Sequence, residues 1–194
     1  LTGFEGSSAL LLMTKDGDDS PVDLIISGMT ITEERSQKVN FTQPYFNTGQ
    51  TFFVGKANPK NIKSWQDLNQ EGVIIATKLG VTGEFACKKL FPKATLKLFK
   101  TEADAAVEVQ QGKAHAMVYD QPYVAAYVKK NPEAVTAFLE PFTDEPLGMA
   151  IRKQDGDLLK EADAFVAEFK QTQLYKDLYQ KYFVDMPWFG NIEE

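Results

Sequence analysis

From residue 22 onward, short apolar and β-branched runs alternate with stretches whose apolar positions recur every three or four residues. That alternation predicts an α/β chain with largely parallel strands. Strands are expected over residues 22–27, 51–55, 73–77, 95–99, 115–119, 135–139 and 148–152. A helix is expected over 101–111, with Thr101 as its N-terminal cap and Gly112 just past its end. Asp120 opens another over 121–130, with Pro122 in its first turn. Nearer the C-terminus, Leu158, Leu159, Ala162, Phe165, Val166 and Phe169 form one apolar stripe. Leu174, Tyr175, Leu178, Tyr179, Tyr182 and Phe183 form a second.

Composition narrows the function classes. The 194 residues suit one large domain or two small α/β lobes, and 43% hydrophobic with 25% charged residues is ordinary for a folded chain. The formal charge of −6 comes without a Lys/Arg cluster, which argues against nucleic acid and against an anionic membrane surface. The longest aliphatic run, Ala9 to Met13, is too short to cross a bilayer, so no direct membrane insertion is expected. Cys87 is the only cysteine, which excludes an internal disulfide and a cysteine-based metal cluster; no metal and no cofactor is expected. No leader precedes Leu1 and the chain does not begin with Met, as in a mature chain or a fragment.

Three strand-to-helix turns can carry chemistry. After the run from Val22 to Ser27 come Gly28, Met29 and Thr30, and the Thr30–Glu33 spacing is that of a capping box. Backbone amides at such a helix start bind anions, and Arg35 in the first turns can grip a carboxylate with two hydrogen bonds. A capped helix bearing an exposed Arg paired with a Glu is the plainer reading of the same residues. The second turn runs from Thr77 through Lys78, Leu79 and Gly80 to Val81, Thr82, Gly83 and Glu84. It places a hydroxyl and glycine amides at the carboxyl end of a strand, although an ordinary N-cap also fits, and it is no P-loop. At the third, Asp120 is suited either to an ammonium group or to capping the following helix. His115 lies in a strand with no partner assignable from sequence and reads as structural. No triad signature or zinc-helix motif is present.

The order and spacing of these turns resembles the family 3 extracellular solute-binding proteins, the polar amino-acid receptors of ABC importers. The matching segments run from Asp23 to Arg35, Val39 to Phe46, Lys78 to Glu84, Gly112 to Asp120 and Glu145 to Lys153. The resemblance implies a two-lobe periplasmic binding protein-like fold (type II) joined by two hinge strands, near residues 51–55 and 148–152. Residues 1–53 with 150–194 would form lobe 1, incomplete at its N-terminus, and 54–149 would form lobe 2. It implies that Arg35 and Thr30 hold a ligand α-carboxylate, helped by the Val81–Thr82 region, while Asp120 and the Gly28 carbonyl take the α-ammonium. Lys78 would lie near the interlobe cleft, where it favours an amide or acidic ligand side chain, although a solvated Lys is the default.

Most of the strand-helix-strand unit that opens family members is absent before Val22. Residues 1–5 resemble the segment entering the first helix, and Phe4-Glu5-Gly6 followed by Ala9-Leu10-Leu11 also resembles the later aromatic-acid-glycine turn and its helix; in the second alignment Phe4 would stack on the ligand side chain. The implied function is binding of a small polar solute, an L-α-amino acid, for delivery to the membrane permease of an ABC importer, in a periplasmic or extracytoplasmic setting. It is not implied to be an enzyme. The alternatives are an enzyme resembling cyclohexadienyl dehydratase, or a ligand-sensing domain, on the same fold.

Overall fold

The computed structural model describes residues 22–185, which divide into two compact units. One comprises residues 48–144, and the other residues 22–47 with 145–185. Phe4 and the apolar run from Ala9 to Met13 lie outside the described residues.

The first unit is built on a five-stranded sheet of β4 (Gln50–Gly55), β5 (Ile74–Lys78), β6 (Thr95–Phe99), β7 (Ala116–Asp120) and β8 (Val135–Phe138). The strand order is β6-β5-β7-β4-β8. Its helices are α2 (Thr82–Leu90), α3 (Glu102–Gln110) and α4 (Gln121–Lys130). The central strands β4, β5 and β7 each carry a run of consecutive buried apolar residues because both sheet faces are covered there.

Side chains alternate across the sheet, so neighbouring residues serve different cores. Phe52, Val54, Ile75, Ala116 and Val118 pack with Cys87, Phe91, Leu68 and Ile62. Phe53, Ala76 and Met117 pack on the other face with Ala105, Ala106, Val109 and Val124. Phe52 and Phe53 are almost fully buried, each contributing roughly 1.5–3 kcal/mol of transfer free energy. Thr101 caps α3 by accepting from the Asp104 amide at 3.1 Å, and Gly112 beyond its end takes the left-handed conformation with φ of 69°.

The expectation of largely parallel strands holds only for β6, β5 and β7. β5 runs parallel to both neighbours, whereas β4 is antiparallel to β7 and to β8. The parallel members are linked through α2, α3 and intervening turns, as parallel connections require; β4 enters this unit directly from the other and is free to run the opposite way.

The second unit holds a small antiparallel sheet in which β10 (Ala150–Ile151) lies between β1 (Leu24–Ile25) and β2 (Asn40–Phe41). Ile25, Met29, Val39 and Ala150 form its core. Its helices are α1 (Glu33–Lys38), α5 (Gly156–Phe169) and α6 (Gln173–Tyr179). Rings form a ladder, with centroids 5.4 Å apart for Phe165 and Phe169, 5.5 Å for Phe169 and Tyr175, and 6.3 Å for Tyr175 and Tyr179. The loop before residue 46 is tied to these helices: Asp163 accepts from the Gln43 amide at 2.6 Å, and Tyr175 donates to the Tyr45 carbonyl at 2.8 Å.

The chain passes from one unit to the other between Asn47 and Thr48 and returns between Asp144 and Glu145. Two short strands, β3 (Phe46–Thr48) and β9 (Glu145–Leu147), pair with each other there. Both passages precede the expected crossing strands at 51–55 and 148–152. β4 is committed along its length to the five-stranded sheet, and β10 to the three-stranded one.

Candidate functional site

In the second unit, Arg35 and Thr30 come together. The half-buried Arg35 guanidinium donates from Nη1 to the Thr30 carbonyl at 2.8 Å, and Thr30 is buried. The expected capping box is not formed. Thr32 occupies the N-cap of α1, its hydroxyl accepting from the Arg35 amide at 3.2 Å, while Thr30 is engaged in an antiparallel bridge with Leu147. A residue held in β-bridge geometry two positions earlier cannot also supply the N-cap. Gly28 is exposed, with open space where a Cβ would project.

The first unit assembles its group at the carboxyl ends of β5 and β7. β7 ends at Asp120, and α4 begins at the next residue with Pro122 in its first turn. Asp120 makes no side-chain cap to that helix. Its Oδ1 instead accepts from Gln50 Nε2 at 2.5 Å, and the same nitrogen donates to Thr82 Oγ1 at 3.3 Å. Thr82 and Gly83 are the first two residues of α2, and their amides have no acceptor within that helix. Val81 sits at the N-cap with an extended backbone and, lacking a hydroxyl, makes no cap bond.

Gly83 packs closely: a Cβ there would stand 2.7 Å from Gln50 Oε1 and 3.2 Å from Thr77 Oγ1. Thr77 is itself fixed, its hydroxyl donating to the Val118 carbonyl at 2.8 Å. Gln50, fully buried, is the residue that sequence reasoning missed. Its only local signal is a long polar side chain just ahead of the apolar run Phe52–Val54.

Lys78 is not a solvated lysine. It is 5% exposed, and its ammonium lies 3.1 Å from Glu102 Oε2 at the start of α3. Burial, then the charges of Glu102 and Tyr127, push the Tyr123 phenol up, so it stays protonated across the physiological range. On α2, burial pushes the Glu84 carboxyl up, but Lys88 at 2.5 Å and the Gly80 amide at 2.6 Å outweigh it and hold the group below the ordinary range. Through Glu84 the turn from Lys78 to Val81 is tied to the helix that follows. The Cys87 thiol is pushed up to about 12 by burial and by Glu84. His115 has a structural role: Nδ1 accepts from the Ile74 amide at 2.9 Å, and burial, with Lys60, lowers its pKa. Among the described residues no group of three His, Cys, Asp or Glu is placed to hold a metal ion, and no helix is long and apolar enough to cross a membrane.

One unit offers a guanidinium, and the other a carboxylate beside a hydroxyl and the amides that open a helix. Such groups bind small charged polar molecules. The chain shares this architecture with known proteins. Residues 12–185 match the family described as bacterial extracellular solute-binding proteins, family 3. The ABC transporter glutamine-binding protein of Bacillus subtilis is 31% identical over 93% of the chain, which spans 64% of that relative's length. A binding component of an ABC transporter from Wolinella succinogenes, solved with lysine, is 39% identical with a TM-score of 0.82, covering 95% of this chain and 78% of its own. An ancestral amino acid-binding protein, a precursor of cyclohexadienyl dehydratase, is 42% identical with a TM-score of 0.78, covering 91% and 73%.

Proposed function

Because the chain belongs to the bacterial extracellular solute-binding proteins of family 3, we propose that it binds an L-α-amino acid for delivery to the membrane permease of an ABC importer. It works outside the cytoplasm, in the periplasm or its equivalent. In this reading the two units are the two lobes of the fold. Arg35 takes the ligand α-carboxylate with a charge-assisted bond, held in place by the Thr30 carbonyl. Asp120 and the Gly28 carbonyl take the α-ammonium. Thr82 and the amides that open α2 supply further donors for the carboxylate, and Lys78 lies toward the ligand side chain.

One observation carries the reading. The Asp120 carboxylate stands at the end of β7, gripped by buried Gln50 beside the opening of α2. Open α/β sheets take their ligands at the carboxyl ends of their strands. A buried carboxamide spent on orienting a strand-end carboxylate is expected where that carboxylate must meet a cation.

The reading does not require catalysis. An elimination of the dehydratase kind needs an acid that carries a proton at neutral pH. Glu84, the other carboxyl on the opening turn of α2, is held below the ordinary range and is spent on Gly80 and Lys88. The similar ancestral protein is itself described as amino acid-binding.

A thermal-shift screen against the twenty amino acids tests the proposal. A ligand at a hundredfold excess over Kd stabilises the protein by about 2.7 kcal/mol. A melting temperature unmoved by every amino acid at millimolar concentration contradicts it.

A further inference from the structure

Gln50 does more than fill space at the start of β4. Its Nε2 carries two hydrogens, one directed at Asp120 Oδ1, 2.5 Å away, and the other at Thr82 Oγ1, 3.3 Å away. A carboxylate oxygen only accepts, which fixes the amide with its nitrogen toward Asp120. The same nitrogen then fixes the sense of the Thr82 hydroxyl: an oxygen that accepts from Gln50 must send its own hydrogen elsewhere. One amide therefore leaves Asp120 presented as an acceptor and Thr82 as a donor. Those are the two polarities that the ammonium and carboxylate of an amino acid require.

The residue is anchored through its backbone as well. Gln50 is fully buried, its backbone amide donates to Thr143 Oγ1 at 2.8 Å, and the Phe142 amide donates to its carbonyl at 3.0 Å. Its Oε1 lies close enough to the α2 backbone that a Cβ at position 83 would stand 2.7 Å from it and force one of the two to shift.

We infer that Gln50 is a positioning residue that sets the hydrogen-bond polarity of Asp120 and Thr82, so that the residue 48–144 unit presents an acceptor to the ammonium of a zwitterion and a donor to its carboxylate, alongside Arg35. The inference rests on the reading that Asp120 and Thr82 touch the ligand.

Two substitutions separate polarity from packing. Gln50→Glu keeps the shape and puts an acceptor where the donor was; Gln50→Leu removes the polar group. Thermal unfolding first confirms that each variant folds. Calorimetry with the best amino acid from the screen then compares affinities. Polarity predicts that the shape-conserving Gln50→Glu variant binds more weakly than Gln50→Leu, and that Gln50→Leu loses roughly tenfold or more. A packing role predicts the reverse order, and that order overturns the inference. In the Thr82→Val background Gln50→Leu should cost less than in the wild type, since coupled neighbours are not additive; equal costs also overturn it.

A second readout needs no ligand. The Gln50 side-chain amide resonances in the ligand-free protein should shift on Asp120→Asn and on Thr82→Val. Resonances unmoved by both refute the inference whether or not any amino acid binds, whereas shifted resonances in a protein that binds no amino acid refute only the functional reading.

Discussion

Replacing Gly83 by Ala should destabilise the protein, against the usual preference of helices for alanine. Glycine costs a helix interior about 1 kcal/mol relative to alanine, so an unobstructed substitution in α2 would be neutral or favourable. Here the new Cβ would lie 2.7 Å from Gln50 Oε1 and 3.2 Å from Thr77 Oγ1, and both of those residues are fully buried. Thr77 is anchored to Val118, leaving Gln50 to yield. Moving it weakens a hydrogen bond to a charged acceptor, worth about 1.5–3 kcal/mol, and one to a hydroxyl, worth about 1 kcal/mol. After the propensity gain, the net loss is about 1–3 kcal/mol. For a chain of this size each kcal/mol lowers the melting temperature by roughly 2–4 °C. Differential scanning calorimetry measures it, with Gly156→Ala at the start of α5 as the control, because a Cβ there meets nothing within 4 Å. A Gly83→Ala protein as stable as wild type would show that the Gln50 contact is not held as described.

Thr32→Ala should cost about 1 kcal/mol by removing the hydroxyl that caps α1, and chemical denaturation that places the loss at the wild-type midpoint would refute Thr32 as the cap. Glu84 has a folded pKa below its unfolded value of about 4.3. Its contribution is therefore complete above that value and is lost as pH falls through the folded pKa. Urea titrations should show that Glu84→Gln flattens the acid side of the stability profile, and parallel curves for the two proteins would contradict the assignment.

The large sheet was legible because its central strands are buried on both faces. Phe52 to Val54, Ile74 to Ala76 and Ala116 to Val118 stand as apolar runs bounded by turns. The small sheet was not. The expected runs 22–27 and 148–152 shorten to Leu24–Ile25 and Ala150–Ile151, since β10 is only two residues long. Asn40–Phe41, Phe46–Thr48 and Glu145–Leu147 are too short to show any period.

At the site, Arg35, Thr30, Thr82 and Asp120 were singled out from sequence; Arg35 bonds Thr30 in one unit, and Thr82 and Asp120 are joined through Gln50 in the other. Gln50 was invisible because its partners lie 32 and 70 residues away, beyond any local pattern. The capping error has a similar cause. Thr30 and Glu33 satisfy the spacing rule, but the bridge to Leu147, distant in sequence, removes Thr30 from the cap and leaves Thr32 to supply it.

The central claim is that Arg35 and Asp120 read opposite charges of one amino acid, and calorimetric titration of Arg35→Ala and Asp120→Asn with the best amino acid from the screen tests it most directly. Truncating one member of a desolvated charge pair costs about 2–5 kcal/mol, so each variant should lose roughly thirtyfold to several thousandfold in affinity while remaining folded. An Arg that only braces the Thr30 carbonyl, or an Asp that only anchors Gln50, would instead change stability and leave affinity as in wild type. Wild-type affinity in either variant contradicts the account and removes that residue from the site.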